Sequence, residues 1–170
     1  MSVDKQVKGR DLYLRQQNNK NTNGPTIVCD GIQTPENFGS ILRVADATGC
    51  KNIILLDSDL DLTSKKLSKL ARSSDQHLNI QHLSLDNFLE KRPEYNHLYA
   101  LEITEQSTSL FNTNITHCDG VVIGHESIGI RDQLLAVCDG TIHLPMFGTN
   151  GSMNVSHALI VFLYEWRRQQ

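Results

Sequence analysis

Ile142-His143-Leu144-Pro145-Met146-Phe147-Gly148-Thr149-Asn150-Gly151-Ser152-Met153-Asn154-Val155-Ser156 decides how this chain is read. A short apolar strand runs into a proline, then a glycine-bearing loop, then a Ser-x-Asn element that opens a long apolar helix. Backbone N–H groups at a helix N-terminus have no partner within the helix, and glycines let another molecule come close. The stretch is therefore built to meet a ligand.

Upstream, short β-branched runs alternate with helical patterns. Thr26–Asp30, Asn52–Asp57, Leu78–Leu83, Leu98–Glu102, Gly120–Gly124 and Thr141–Leu144 read as extended. Asn37–Thr48, Lys65–Arg72, Leu85–Lys91, Arg131–Val137 and Met153–Arg168 read as helical. Such alternation predicts an α/β domain with a mostly parallel sheet flanked by helices. Residues 1–24 are polar, and the reading places a short helix at Lys8–Gln17 and a loose linker at Asn18–Gly24. The ordered domain is expected from Pro25 to the C-terminus, 25–170.

The size suits one domain with a core: 170 residues, 39% hydrophobic. No apolar run approaches the roughly 18 residues of a membrane span. Met1-Ser2-Val3-Asp4-Lys5 is polar and mixed in charge, unlike a signal peptide. Cys29, Cys50, Cys118 and Cys138 are widely spaced with no CxxC, which fits reduced thiols in a cytoplasm rather than a zinc site or a disulfide framework.

A net charge of −3 argues against nucleic-acid binding, yet the positive charge is unevenly placed. Ser64–Arg72 holds four of the sixteen basic residues and no acid. On a helix, Lys65, Lys69 and Arg72 share one face. A solvated helix face is the plain account of an isolated run. Beside the motifs below, a stripe that tracks phosphates is the better one.

Two of the expected helices have distinct faces. On the first, Phe38, Ile41, Leu42 and Ala45 face one way and Glu36, Ser40 and Arg43 the other, so Arg43 points away from the core. On the last, Val155, Ala158, Leu159, Phe162 and Trp166 form one apolar face, while Ile160, Val161 and Tyr164 form a second. A helix apolar on two sides is covered on both, and the second cover is expected to be another copy of the chain in a two-fold homodimer.

Three segments carry the chemistry: Pro35–Gly49, Val121–Ile130 and the C-terminal run above. Each joins a strand end, a glycine-bearing turn and a helix start, which is where open α/β sheets bind ligands. Their order and content resemble the SpoU (TrmH-like) branch of the SPOUT RNA methyltransferases. The matching positions are Asn37, Gly39, Ile41 and Arg43; then Gly124, Glu126 and Gly129; then Pro145, Met146, Gly148, Ser152, Met153, Asn154, Val155 and Ser156.

The resemblance implies a parallel sheet with a C-terminal deep trefoil knot, a topology that patterning alone does not suggest. It implies a homodimer, S-adenosylmethionine as methyl donor and a ribose 2′-O-methyl product in tRNA or rRNA. By position, Arg43, Asn37, Glu126, Ser152 and Asn154 match catalytic residues. Leu101, Gly124, Leu144, Ser152 and Met153 match residues that enclose the donor. His125 and Ser127 depart from the common pattern, and Leu144 and Met153 are volume-conserving exchanges.

The third motif and the closing Tyr164-Glu165-x-x-Arg168 look most like tRNA-modifying members, and about 24 residues ahead of the domain also favour tRNA over rRNA. An RNA-binding relative without activity is a rival, opposed by intact Asn37, Arg43, Glu126 and Asn154. A dinucleotide enzyme is another. Asp57 imitates its ribose-binding acid, but Gly31-Ile32-Gln33-Thr34-Pro35 lacks the GxGxxG turn. His77, His82, His97, His117, His143 and His157 show no metal-like spacing and read as structural or surface residues; no metal is expected.

Overall fold

A computed structural model describes residues 23–170. The helix expected at Lys8–Gln17 lies outside the described residues. Strands β1 (Thr26–Asp30), β2 (Asn52–Leu56), β3 (Asn79–Leu83), β4 (Leu98–Leu101), β5 (Thr108–Ser109), β6 (Gly120–Ile123) and β7 (Gly140–His143) form one sheet. Their order is β3-β2-β1-β6-β4-β7-β5 and each pairing is parallel.

Helix α1 (Pro35–Thr48) and the C-terminal α5 (Val155–Gln169) cover one face; α3 (Leu85–Lys91) and α4 (Asp132–Leu135) cover the other. Alternation along the strands explains the two cores. Ile27 and Cys29 of β1 point toward Phe38, Ile41, Leu159 and Phe162, whereas Val28 joins Phe88, Leu98 and Leu134. Covered on both faces, β1 and β6 read as continuous apolar runs rather than alternating ones. Burying a side chain such as Phe162 contributes about 1.5–3 kcal/mol.

Helix α1 starts two residues earlier than the apolar period indicates. Thr34 caps it by accepting from the Asn37 N–H at 3.4 Å, and Pro35 sits in the first turn, where its missing N–H costs nothing. Its buried and exposed faces are those expected, with Arg43 exposed. Helix α2 (Lys65–Ala71) ends before Arg72, which takes a left-handed conformation at φ 50° as the C-cap. The continuous stripe expected over Lys65, Lys69 and Arg72 is therefore broken at its last member, although all three are exposed. Lys66, outside that stripe, pairs with Glu36 of α1 at 2.6 Å.

Other boundaries also differ from expectation, the helix expected at Arg131–Val137 being shorter, Asp132–Leu135. Gly24 is no loose linker: its N–H donates to the Gly49 carbonyl at 3.0 Å. Strand β5, only two residues long, carries no detectable period. Helix α5 begins at Val155, because Asn154 is its cap and Met153 precedes it. The second apolar face of α5 is open, with Ile160 and Val161 36% and Tyr164 53% exposed. No helix among the described residues is long and apolar enough to cross a membrane.

Gly39 is buried where α1 meets α2, and a Cβ there would stand 2.6 Å from the Leu70 Cβ. Gly39→Ala is expected to lower stability in urea unfolding by about 1–3 kcal/mol, overpacking outweighing the better helix propensity of Ala. Gly148→Ala, with nothing within 4 Å, is expected to stay within about 0.5 kcal/mol of the parent.

Candidate active site at the C-terminal edge of the sheet

Strands β4, β6 and β7 all end at a cavity of about 690 Å³. Beyond β6, Gly124 leaves no room for a side chain: a Cβ would lie 2.4 Å from the Gly129 carbonyl carbon and 2.5 Å from the Ile130 nitrogen. His125 and Gly129 exchange backbone bonds at 3.1 and 2.9 Å. Residues 125–129 are thus a closed loop that returns tightly against its own start and presents Glu126.

The three sequence segments meet there. Asn154 caps α5, its Oδ1 accepting from the Ser156 N–H at 2.9 Å and the Ser156 hydroxyl at 2.7 Å. Its Nδ2 donates to Asn37 Oδ1 at 2.9 Å. Asn37 Nδ2 in turn donates to Glu126 Oε1 through a short bond, and the Thr34 hydroxyl donates to the same oxygen at 3.3 Å. Both amide orientations follow: each carboxamide must give its N–H to the next acceptor in line.

Glu126, Asn154, Ser152, Leu101, Gly124, Leu144 and Met153 all line the cavity. Asn37 is bonded to two of them. Arg43 stands apart, exposed on α1 and outside the cavity wall. Lys65, Lys69 and Arg72 are likewise outside it, on the neighbouring α2 surface.

The structure adds residues that sequence reasoning missed. His143, read as structural or surface, lines the cavity, and its Nδ1 lies 3.0 Å from the Ser107 hydroxyl. Glu102 lines it too, its Oε1 accepting from its neighbour Ile103 N–H at 2.9 Å and its Oε2 from Ile130 N–H at 3.1 Å. Glu102 follows the last residue of β4 and His143 is the last residue of β7, so the sheet-edge rule was the available signal. His125 Nδ1 accepts from the Ser127 N–H at 3.0 Å, which leaves the proton of the neutral ring on Nε2.

Asp57 turns out to be structural. Arg131 donates through Nη1 to Asp57 at 2.6 Å and through Nε to the buried Asp30 at 2.7 Å. Partial burial opposes the guanidinium's charge, but these carboxylates hold its pKa above the ordinary value. The clamp pins the end of the 125–130 loop to β1 and β2. Burial also pushes the Cys50 thiol up to about 11 and Cys138 to about 12, so neither is a nucleophile at neutral pH. Among the described residues, no group of His, Cys, Asp and Glu is placed to hold a metal ion.

Leu101, Leu144 and Met153 offer an apolar wall for a flat ring, with strand-end backbone groups beside it. Two carboxylates line the cavity, and none of the described lining residues is Lys or Arg. The donor set suits a cationic, partly aromatic ligand.

Fold and site together define an α/β domain with a cofactor-sized cavity at the C-terminal edge of a parallel sheet, closed by three converging loops. The SpoU rRNA Methylase family matches residues 24–164, and the chain belongs to that family. It is 32% identical over 164 residues to the 23S rRNA (guanosine-2′-O-)-methyltransferase RlmB of Blochmanniella floridana, covering 94% of this chain and 64% of that protein. A solved structure described as giving insight into 2-OH methylation of C/U34 on tRNA matches with TM-score 0.75 and 29% identity, over 85% of this chain and 94% of that one. The SpoU methyltransferase AviRb of Streptomyces viridochromogenes, solved with the cofactor AdoMet, matches with TM-score 0.76 and 25% identity, over 91% and 64%. The chain spans just under two thirds of the length of the curated relatives it matches, 64% and 65% for two of them.

Asn154 does two jobs that substitution separates. Asn154→Ala loses the cap and is expected to cost about 1 kcal/mol in thermal or urea unfolding. Asn154→Asp keeps a good cap, so stability is expected within about 0.5 kcal/mol of the parent. It nevertheless leaves Asn37 between two carboxylates, and the Asn37 side-chain amide resonances are expected to shift in NMR spectra.

Proposed function

We propose that this chain is an S-adenosylmethionine-dependent RNA methyltransferase acting on a ribose 2′-hydroxyl, with tRNA as the favoured substrate. The observation that carries the reading is the hydrogen-bonded line Asn154–Asn37–Glu126 at the cavity rim, which joins all three motifs of the family in one place. The relatives named for 2′-O and 2-OH methylation support the ribose hydroxyl as target. The tRNA structure, of which this chain spans 94%, supports tRNA; the RlmB relative keeps rRNA as the second reading.

When bound, the cofactor would supply a methyl group already activated on a sulfonium centre. Leu101, Leu144 and Met153 would hold its adenine, and Gly124 and Ser152 would border the rest. Glu126, fixed by Asn37 and Thr34 at the cavity wall, would face a cationic cofactor with its carboxylate. Arg43 acts on the RNA. A guanidinium with a pKa above roughly 12 is a poor base, so Arg43 grips the target phosphate bidentately and stabilises charge developing on the ribose oxygen. The hydroxyl proton leaves to solvent or to that phosphate. Lys65, Lys69 and Arg72 extend the phosphate contact along the α1–α2 side.

The catalytic domain spans 25–170 in this reading. The knot implied by the resemblance is part of this proposal, and the meeting of β4, the loop after β6 and the β7–α5 connection at one cavity supports it. The open face of α5, with Phe111 55% exposed nearby, is the homodimer surface. A cytoplasmic location fits the four thiols, which are all free.

Calorimetric titration of the pure protein with S-adenosylmethionine or S-adenosylhomocysteine tests the central claim; no heat of binding for either overturns it. With a saturating RNA substrate, Arg43→Lys is expected to slow single-turnover methylation at least about 10-fold, the fork being lost and the charge kept, while cofactor affinity stays within about twofold. Val161→Glu is expected to convert a dimer to a monomer in sedimentation equilibrium, a charge replacing an apolar contact.

A further inference from the structure

Glu102 is not one of the motif residues, yet backbone N–H groups hold its carboxylate in the cavity through both oxygens. Its backbone N–H donates to the Ile142 carbonyl at 3.0 Å, continuing the β4–β7 ladder. Its side chain accepts from Ile103 N–H through Oε1 and from Ile130 N–H through Oε2. Space is reserved for it: a Cβ on Gly129 would stand 2.6 Å from Oε2. Three stretches of chain therefore fix one carboxylate at the cavity wall, next to Leu101.

Each carboxylate oxygen offers about two lone-pair sites. The two backbone bonds use one on each oxygen, and one on each remains. No Lys or Arg among the described lining residues takes them. Two acceptors side by side on a rigid, planar group match a pair of donors on adjacent carbons, which is a vicinal diol. An amine would present its protons from a single nitrogen and engage the pair less well. A fixed acid accepting from ribose hydroxyls is a common way of recognising a nucleoside.

We propose that Glu102 binds the ribose diol of the cofactor, beside the apolar slot that takes its adenine. This rests on the cofactor reading above and adds to it a recognition residue outside the three motifs. Selection follows from it: nucleosides lacking either hydroxyl lose a charge-assisted bond and leave a half-buried carboxylate oxygen short of a partner.

The test is a binding cycle. S-adenosylhomocysteine and its 2′-deoxy, 3′-deoxy and desamino analogues are titrated calorimetrically into the parent protein and into Glu102→Gln. For the parent, each deoxy analogue is expected to bind about 10-fold more weakly than S-adenosylhomocysteine. In Glu102→Gln that penalty is expected to shrink to under about threefold, while the desamino penalty is unchanged. Equal deoxy penalties in both proteins overturn the proposal and leave the cofactor reading intact. A penalty that moves with the desamino analogue instead assigns Glu102 to the amino group and equally overturns it. Failure of the parent to bind S-adenosylhomocysteine at all removes both. Glu102→Asp, which keeps the charge but withdraws it by one methylene, repeats the cycle if the Gln variant melts early. It too is expected to lose the deoxy discrimination, and retention of the full penalty counts against the diol.

Discussion

The carboxamide of Asn37 lies between an acid and another carboxamide, and its position decides where three distant loops meet. It donates to Glu126 and accepts from Asn154. Neither neighbour is free to move. Glu126 rides on a loop closed by its own backbone bonds, and Asn154 is spent as the cap of α5. The relay is directional, because reversing any one amide would set like groups against each other. It converts two helix termini and one loop into a rigid rim.

Behind that rim, the charges are divided between two surfaces. The cavity is lined by two carboxylates and no Lys or Arg among the described residues, whereas Arg43 and the α2 cations lie outside it on the neighbouring helices. In the function proposed above, the inner surface suits a sulfonium and the outer one a polyphosphate. A net charge of −3 hides this, since the sum says nothing about where opposite signs are kept apart. The Arg131 clamp on Asp30 and Asp57 belongs to neither surface. It ties the end of the 125–130 loop to the sheet, so the acidic group that resembles a dinucleotide signature in sequence is an anchor in space.

Much of the fold was legible because it rests on periods. The 3.6-residue stripe of α1 and the apolar runs of β1, β2 and β6 depend only on neighbours in sequence, and each appeared within one or two residues of its place. Errors fell where a tertiary contact, not a period, sets the boundary. The helical period runs through Arg72, but Arg72 turns left-handed at the helix end. Strand β5 exists only because β7 offers it an edge. Gly24 is held by Gly49, which no local pattern announces.

By itself the sequence determined the alternation of strands and helices, the exposed position of Arg43, the two apolar sides of α5 and the three motifs that place the chain in the SpoU family. Those are properties of residue type and spacing, which local sterics and burial translate directly into structure. Only the tertiary structure decided that Asn37, Glu126 and Asn154 form one hydrogen-bonded line, that Arg43 stands apart from it, and that Glu102 and His143 join the cavity. Those facts depend on the sheet order β6-β4-β7, which brings strand ends from distant stretches side by side. Side-chain reach across that edge is a matter of ångströms, and no spacing along the chain encodes it.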